Sequence, residues 1–163
     1  MEAEMTELVL PGHTNHIGTC FGGTIMGWID LVAAIAAQRG FGTVVTASVD
    51  SIQFKKPIVL GDVVTLRAGV NRIWNCSLEV GVKVTCESLV EKAARGIDVP
   101  RHTILSNERQ VCRAYLTFVA IDGDGKKRNI RNIPFEPGNE MWIRRFEEAG
   151  KRREVRLANR RKR

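Results

Sequence analysis

One stretch constrains the fold more than any other: residues 24–40, TIMGWIDLVAAIAAQRG. It is rich in good helix formers, and Gln38, Arg39 and Gly40 close it with a helix-ending signature. Nearly every side of the predicted helix is apolar. A helix without a polar face has to be enclosed by other structure rather than lie on a surface.

The remainder of the chain offers strands for that enclosure. Residues 8–11 (LVLP) read as a short strand, followed by a polar, glycine-containing connection that leads into the helix. Residues 43–54 supply apolar positions at Val45, Ala47, Val49, Ile52 and Phe54, with a register break near Ser51. Residues 63–74 and 77–87, separated by Asn75 and Cys76, read as an antiparallel hairpin. In the second of these runs Leu78, Val80, Val82 and Val84 alternate with Glu79, Gly81, Lys83 and Thr85, so one face is buried and the other is wet or paired. Residues 111–121 make a last strand. The expected class is α+β, an antiparallel sheet of about five strands wrapped around one long buried helix.

The chain carries 25 basic and 18 acidic residues, a net charge of +7. With 44% hydrophobic residues it has enough apolar material for a packed core, which excludes a mainly disordered chain. The charge excess is local. Residues 151–163, KRREVRLANRRKR, hold eight basic residues and one acid, and residues 1–150 are formally neutral. The expected organisation is therefore a domain over residues 1–133 and a C-terminal extension, 134–163, that ends in the basic tail 151–163. WIRRFEEAGKRREVR has helix-forming character, but so short a segment is weakly helical alone. A basic tail is a potential contact for nucleic acid or an acidic partner. Without aromatics or a binding fold, its expected state is a disordered, solubilising end.

MEAEMTELVL is acidic and lacks the start of a secretory signal, and the apolar run at 25–37 is broken by Gly27 and Asp30. No membrane span is expected, and the expected compartment is the cytoplasm. Cys20, Cys76, Cys86 and Cys112 have no metal-ligand spacing, and His13 and His16 have no acidic or cysteine partner nearby in sequence, so no metal site is expected.

Asp30 is the most informative residue, an acid in the middle of an apolar helix. Burying an unpaired carboxylate is costly, so such a residue is either hydrogen-bonded structurally or used in chemistry. Phe21, Gly22 and Gly23 precede the helix. Free N–H groups at a helix start form a donor site for an anion or a developing oxyanion, and glycines allow close approach, although a glycine pair alone also describes an ordinary turn. No G-x-G-x-x-G or Walker pattern is present, and Ser51 has no G-x-S-x-G context.

Three ordered segments together resemble the hotdog-fold acyl-CoA thioesterases of the YciA and brain acyl-CoA hydrolase group. The first is Asn15, Gly18, Thr19, Phe21-Gly22-Gly23, Met26, Trp28-Ile29-Asp30 and Ala33-Ala34; the second is Asp50, Ser51, Phe54, Pro57, Gly61 and Asp62; the third is residues 114–122. The resemblance spans roughly residues 7–133. It implies a hotdog fold and hydrolysis of a fatty acyl-CoA to free acid and CoA, with no cofactor beyond the CoA of the substrate. It also implies that Asp30 acts as general base or nucleophile and that Gly23, with Gly22 nearby, supplies oxyanion-stabilising N–H groups. Thr19 departs from the asparagine of the brain-type enzymes, which leaves its part as carbonyl or water orienter open, with Asn15 as a substitute or a simple turn residue. The candidates for holding CoA are Ser51, Phe54, Lys55, Lys56, Arg72 and Arg95, with Arg101 and Arg109 as further cations.

Gly23 and Asp30 are seven residues apart, about 10 Å along a helix axis. One thioester carbon cannot lie about 3 Å from both. If both act, they come from different subunits, which agrees with the homodimer, commonly a trimer of dimers, that the resemblance implies. A non-catalytic acyl-CoA-binding hotdog protein is the competing reading. A hotdog dehydratase fits less well, because its usual histidine is not seen around this helix.

Overall fold

The structure is a computed structural model that describes residues 1–88, 108–135 and 139–161, with side chains to residue 159. Its strands are β1 (Glu2–Leu8), β2 (Val44–Phe54), β3 (Asp62–Ile73), β4 (Ser77–Ser88) and β5 (Arg109–Ala120). Its helices are α1 (Gly22–Phe41) and α2 (Glu140–Arg161), with a single 3-10 turn at Pro11–His13. The five strands form one antiparallel sheet in the order β1-β3-β4-β5-β2.

Period-2 alternation builds the inner face. Val64, Leu66, Ala68 and Val70 of β3 line up with Cys86, Val84, Val82 and Val80 of β4, and these with Cys112, Ala114 and Leu116 of β5. All are buried. Helix α1 lays Ile25, Ile29, Val32, Ala33, Ala36, Ala37 and Phe41 across them, a stripe at helical spacing whose alanines let the helix approach closely. The helix ends at Gly42, whose φ of 65° suits glycine and whose N–H reaches the Gln38 carbonyl.

Three expectations are corrected here. The first strand is residues 2–8, not 8–11: Ala3 and Met5 point inward, while Glu2 and Glu4 take wet positions of an edge strand, with Glu4 directly opposite Arg67 and bonded to it at 2.6 Å. An acidic run thus conceals a strand that needs only one apolar face. The second correction is that α1 is not enclosed on all sides. Met26 and Leu31 are exposed on its far flank, and so are Gly23 and Gly27.

The third correction concerns the basic tail, which forms the second half of α2 and packs on the outer face of the sheet. Trp142 sits over Gly69 of β3, where an added Cβ would lie 2.5 Å from the indole. Arg152 Nε and Nη2 bond the carboxylate of Glu79 on β4 at 3.0 and 2.8 Å, and the guanidinium lies 3.6 Å from the ring of Tyr115 on β5. Arg156 bonds Asp50 on β2 and Thr117 on β5. The helix therefore crosses four strands diagonally. The tail is ordered because buried carboxylates on the sheet require its arginines, a pairing that a count of tail charge does not reveal.

Candidate active site

The chain enters α1 through a loop tied down by backbone bonds: Cys20 N–H to the Ile58 carbonyl at 2.8 Å and Phe21 N–H to the His13 carbonyl at 2.9 Å. The first bond within the helix runs from Ile25 to Phe21, and the helix start has no side-chain cap. The N–H groups of Gly22, Gly23 and Thr24 are left without partners among the described residues, as a bare helix start dictates. A Cβ on Gly23 would meet nothing within 4 Å among the described residues, so their packing does not demand this glycine. Gly22 faces the half-exposed ring of Phe54, 3.6 Å from where its Cβ would stand. The structure thus brings Gly22, Gly23 and Phe54 together.

Asp30 lies half-buried on the flank of α1 that faces β2. Its Oδ1 accepts a hydrogen bond from Thr46 Oγ1 at 2.7 Å, and its Oδ2 has no partner among the described residues. The resulting carboxylate is fixed at one oxygen and available at the other. Thr46 was not among the sequence candidates. It is 16 residues from Asp30, and only its place on the inward side of β2 gives it away.

Asn15 and Thr19 are joined, but mainly to each other. Asn15 Oδ1 accepts the N–H groups of Ile17 and Thr19, at 3.1 and 3.2 Å, and its Nδ2 donates to Thr19 Oγ1 at 2.8 Å. Asn15 is therefore committed to the turn. Thr19, as acceptor of that bond, keeps its hydroxyl proton for another partner. His13 meets Trp28 edge-on, with ring centroids 5.1 Å apart, and its Nδ1 accepts the Leu10 N–H.

The CoA candidates scatter. Lys55 and Lys56 are exposed at the end of β2, and Ser51 sits on that strand opposite Tyr115. Arg72 is on the outer face, stacked 4.1 Å from the Phe146 ring of α2 and bonded to that residue's carbonyl, so it does not reach the start of α1. Arg109 bonds the fully buried Asp62 at 3.3 Å. Cys86 shares that carboxylate; burial first, then the bond to Asp62 and its charge, push the thiol up to about 12. Arg95 and Arg101 lie outside the described residues. Among the described residues no group of three histidine, cysteine or acidic side chains is placed to hold a metal ion. No helix among them is long and apolar enough to cross a membrane.

A half-free carboxylate on the flank of α1 is equipment for proton abstraction, and unpaired N–H groups at the start of that helix are equipment for stabilising an oxyanion. Comparison with known proteins points the same way. A family profile described as Thioesterase superfamily matches residues 17–93. A Bacillus subtilis protein named as the uncharacterized acyl-CoA thioester hydrolase YkhA is 36% identical over 140 residues, 85% of this chain and 73% of its own length. The chain belongs to the thioesterase superfamily. Among solved superfamily structures, the acyl-CoA hydrolase of Staphylococcus aureus, in complex with butyryl-CoA, CoA and CoA disulfide, superimposes with a TM-score of 0.82 at 33% identity, covering 99% of this chain and 89% of that one. A hexameric acyl-CoA thioesterase does so with a TM-score of 0.80 at 33% identity, covering 97% and 92%. The fold is the hotdog, α1 cradled by the sheet. The chain spans only about a fifth to a quarter of the length of its mammalian relatives, such as the 41%-identical acyl-coenzyme A thioesterase 11 of Mus musculus, of which it covers 18%.

Proposed function

We propose that this protein hydrolyses acyl-CoA thioesters, with Asp30 as general base in one subunit and the N–H of Gly23, aided by Gly22, as oxyanion donor in the next. The observation that carries the reading is the Asp30 carboxylate, steered at Oδ1 by Thr46 and without a partner at Oδ2 among the described residues. In the proposed reaction Oδ2 takes a proton from water as the water oxygen bonds to the thioester carbon. The carbonyl π electrons move onto oxygen, where the glycine N–H groups receive the charge, a contribution of about 3–4 kcal/mol for one such donor. Collapse of this intermediate breaks the C–S bond, and the departing thiolate takes the proton back from Asp30. Water is the only co-reactant.

Two subunits are required because seven helical residues separate Gly23 from Asp30, about 10 Å. The exposed apolar surface supports a dimer built where that requirement places it. β2 is an edge strand, and apolar side chains are left open to solvent both on it, at Val45 and Val49, each 45% exposed, and on α1, at Leu31, 53% exposed. Edge strands of this kind are ready to pair. A trimer of such dimers follows the hexameric relative.

Replacing Asp30 with Ala or Asn is the test. Release of CoA thiol from butyryl-CoA should fall about 10²- to 10⁴-fold while the assembly stays intact in sedimentation. Unchanged turnover would exclude Asp30 as the base. Acyl-CoA binding with no thiol release by the unaltered protein would favour a binding protein instead.

A further inference from the structure

We propose that Arg156, far along the basic tail, is a positioning residue for the hydrolysis: it acts from α2 through Asp50 and strand β2 on the Thr46–Asp30 pair. The proposal rests on the reading of Asp30 given above.

The route is short and continuous. Strand β2 pairs on one side only, with β5, and its register shifts twice, between Thr46 and Ser48 and again between Val49 and Ser51. A bulge interrupts the ladder and leaves residues unpaired, so this is the part of the strand that its own backbone bonds hold least. Thr46, at one end of the bulged segment, faces inward and makes the only side-chain hydrogen bond of Asp30 among the described residues. Asp50, at the other end, faces outward and is enclosed. Its Oδ1 accepts from Ser48 Oγ at 2.8 Å, its Oδ2 accepts from Thr117 Oγ1 at 2.8 Å, and Arg156 donates to both Asp50 and Thr117. The segment that orients the base is thus pinned from behind by a residue of the tail.

Burial makes this pin more than a surface ion pair. The Asp50 and Arg156 side chains are 7% and 13% exposed, so salt and water screen the pair little. An exposed pair of the same composition contributes next to nothing. The second arginine clamp supplies an internal control. Arg152 holds Glu79 with comparable chemistry, but on β4, a central strand laddered on both sides and without a side-chain bond to Asp30. Loosening either clamp weakens α2; only loosening Arg156 frees the bulged segment.

Steady-state kinetics on the full chain decide the matter, with butyryl-CoA as substrate. Because a misplacement of about 1 Å at a reacting group costs as much as 10²-fold, Arg156→Gln is expected to lower kcat about tenfold with KM within about twofold. Arg156→Lys should recover most of that loss. Arg152→Ala should leave kcat within about twofold of the unaltered enzyme although it destabilises the fold at least as much in denaturant titration. Unchanged kcat in Arg156→Gln, or an equal fall in Arg152→Ala, overturns the proposal. If Arg156→Gln does not fold, Asp50→Asn, which keeps the shape and removes the charge, takes its place, with a loss of kcat expected and unchanged kcat overturning. Asp30→Asn separates the two readings. If it is inactive while Arg156→Gln is unaltered, only the positioning role fails; if it remains active, the assignment of the base fails as well.

Discussion

On the inner face of the sheet α1 is held by Ile25, Ile29, Val32 and a run of alanines against β3, β4 and β5, while on the outer face α2 is held by Arg72, Arg152 and Arg156 against aromatic rings and two enclosed carboxylates. The inner contact is non-directional, and its strength is distributed over area. The outer contact is directional, concentrated in a few groups that each leave an unpaired charge when removed. One helix can therefore lose any single methyl group with little consequence. The other depends on individual residues.

The largest expected effect lies on the outer face. Burial opposes the charge on Arg152, but the hydrogen bonds and charge of Glu79 outweigh it and hold the guanidinium pKa above its usual value. Glu79 is fully buried, and among the described residues only Asn71 Nδ2, at 2.9 Å, bonds it besides Arg152. Arg152→Ala should accordingly lower stability by about 3 kcal/mol, at the lower end of the range for a broken buried pair. Replacing both partners, Arg152→Met with Glu79→Leu, should recover most of the loss. On the inner face, Ile29→Val removes one methylene from a fully buried side chain and should cost about 0.5–1.5 kcal/mol. Urea titration of the three variants checks the contrast, which is lost if Ile29→Val costs as much as Arg152→Ala.

The same contrast explains what was legible beforehand. A run of good helix formers with its closing Gln38-Arg39-Gly40 signature locates α1 to within two residues at its start and one at its end, and runs of strand-type apolar residues bounded by turns locate β3, β4 and β5 about as closely. The break expected near Ser51 is one of the two register shifts of β2. Asp30 and the glycine pair stand out because they violate that pattern. Thr46 does not stand out: a threonine on a strand is ordinary, and its bond to Asp30 is set by tertiary packing alone. Asp50 entered only as part of a family segment. Nothing local indicates that it is enclosed, or that Arg156, 106 residues later, completes it. That Arg72 stacks on Phe146 of the outer face is hidden for a related reason: a cation carries no mark of the face on which it ends up.

The smallest effect, and the one that sharpens the comparison most, is at Gly23. Elsewhere in this fold a glycine admits a neighbour, as Gly69 admits Trp142, and a larger residue there is expected to damage the packing of α2. Gly23 admits no neighbour among the described residues: it is exposed, sits in the first turn of α1, and has open space where a Cβ would be. Alanine there restricts the unfolded chain and favours the helix, so Gly23→Ala should raise the stability of the fold by about 0.5–1 kcal/mol. Turnover should move the opposite way, because the added methyl occupies the approach to the N–H groups that are proposed to meet the thioester oxygen. Denaturant titration and thiol-release kinetics on the same preparation give both numbers. A variant that is more stable and slower would mean that the glycine is kept for what approaches it from outside the chain, whereas a more stable variant with unaltered kcat and KM would remove Gly23 from the oxyanion site and leave Asp30 without its counterpart.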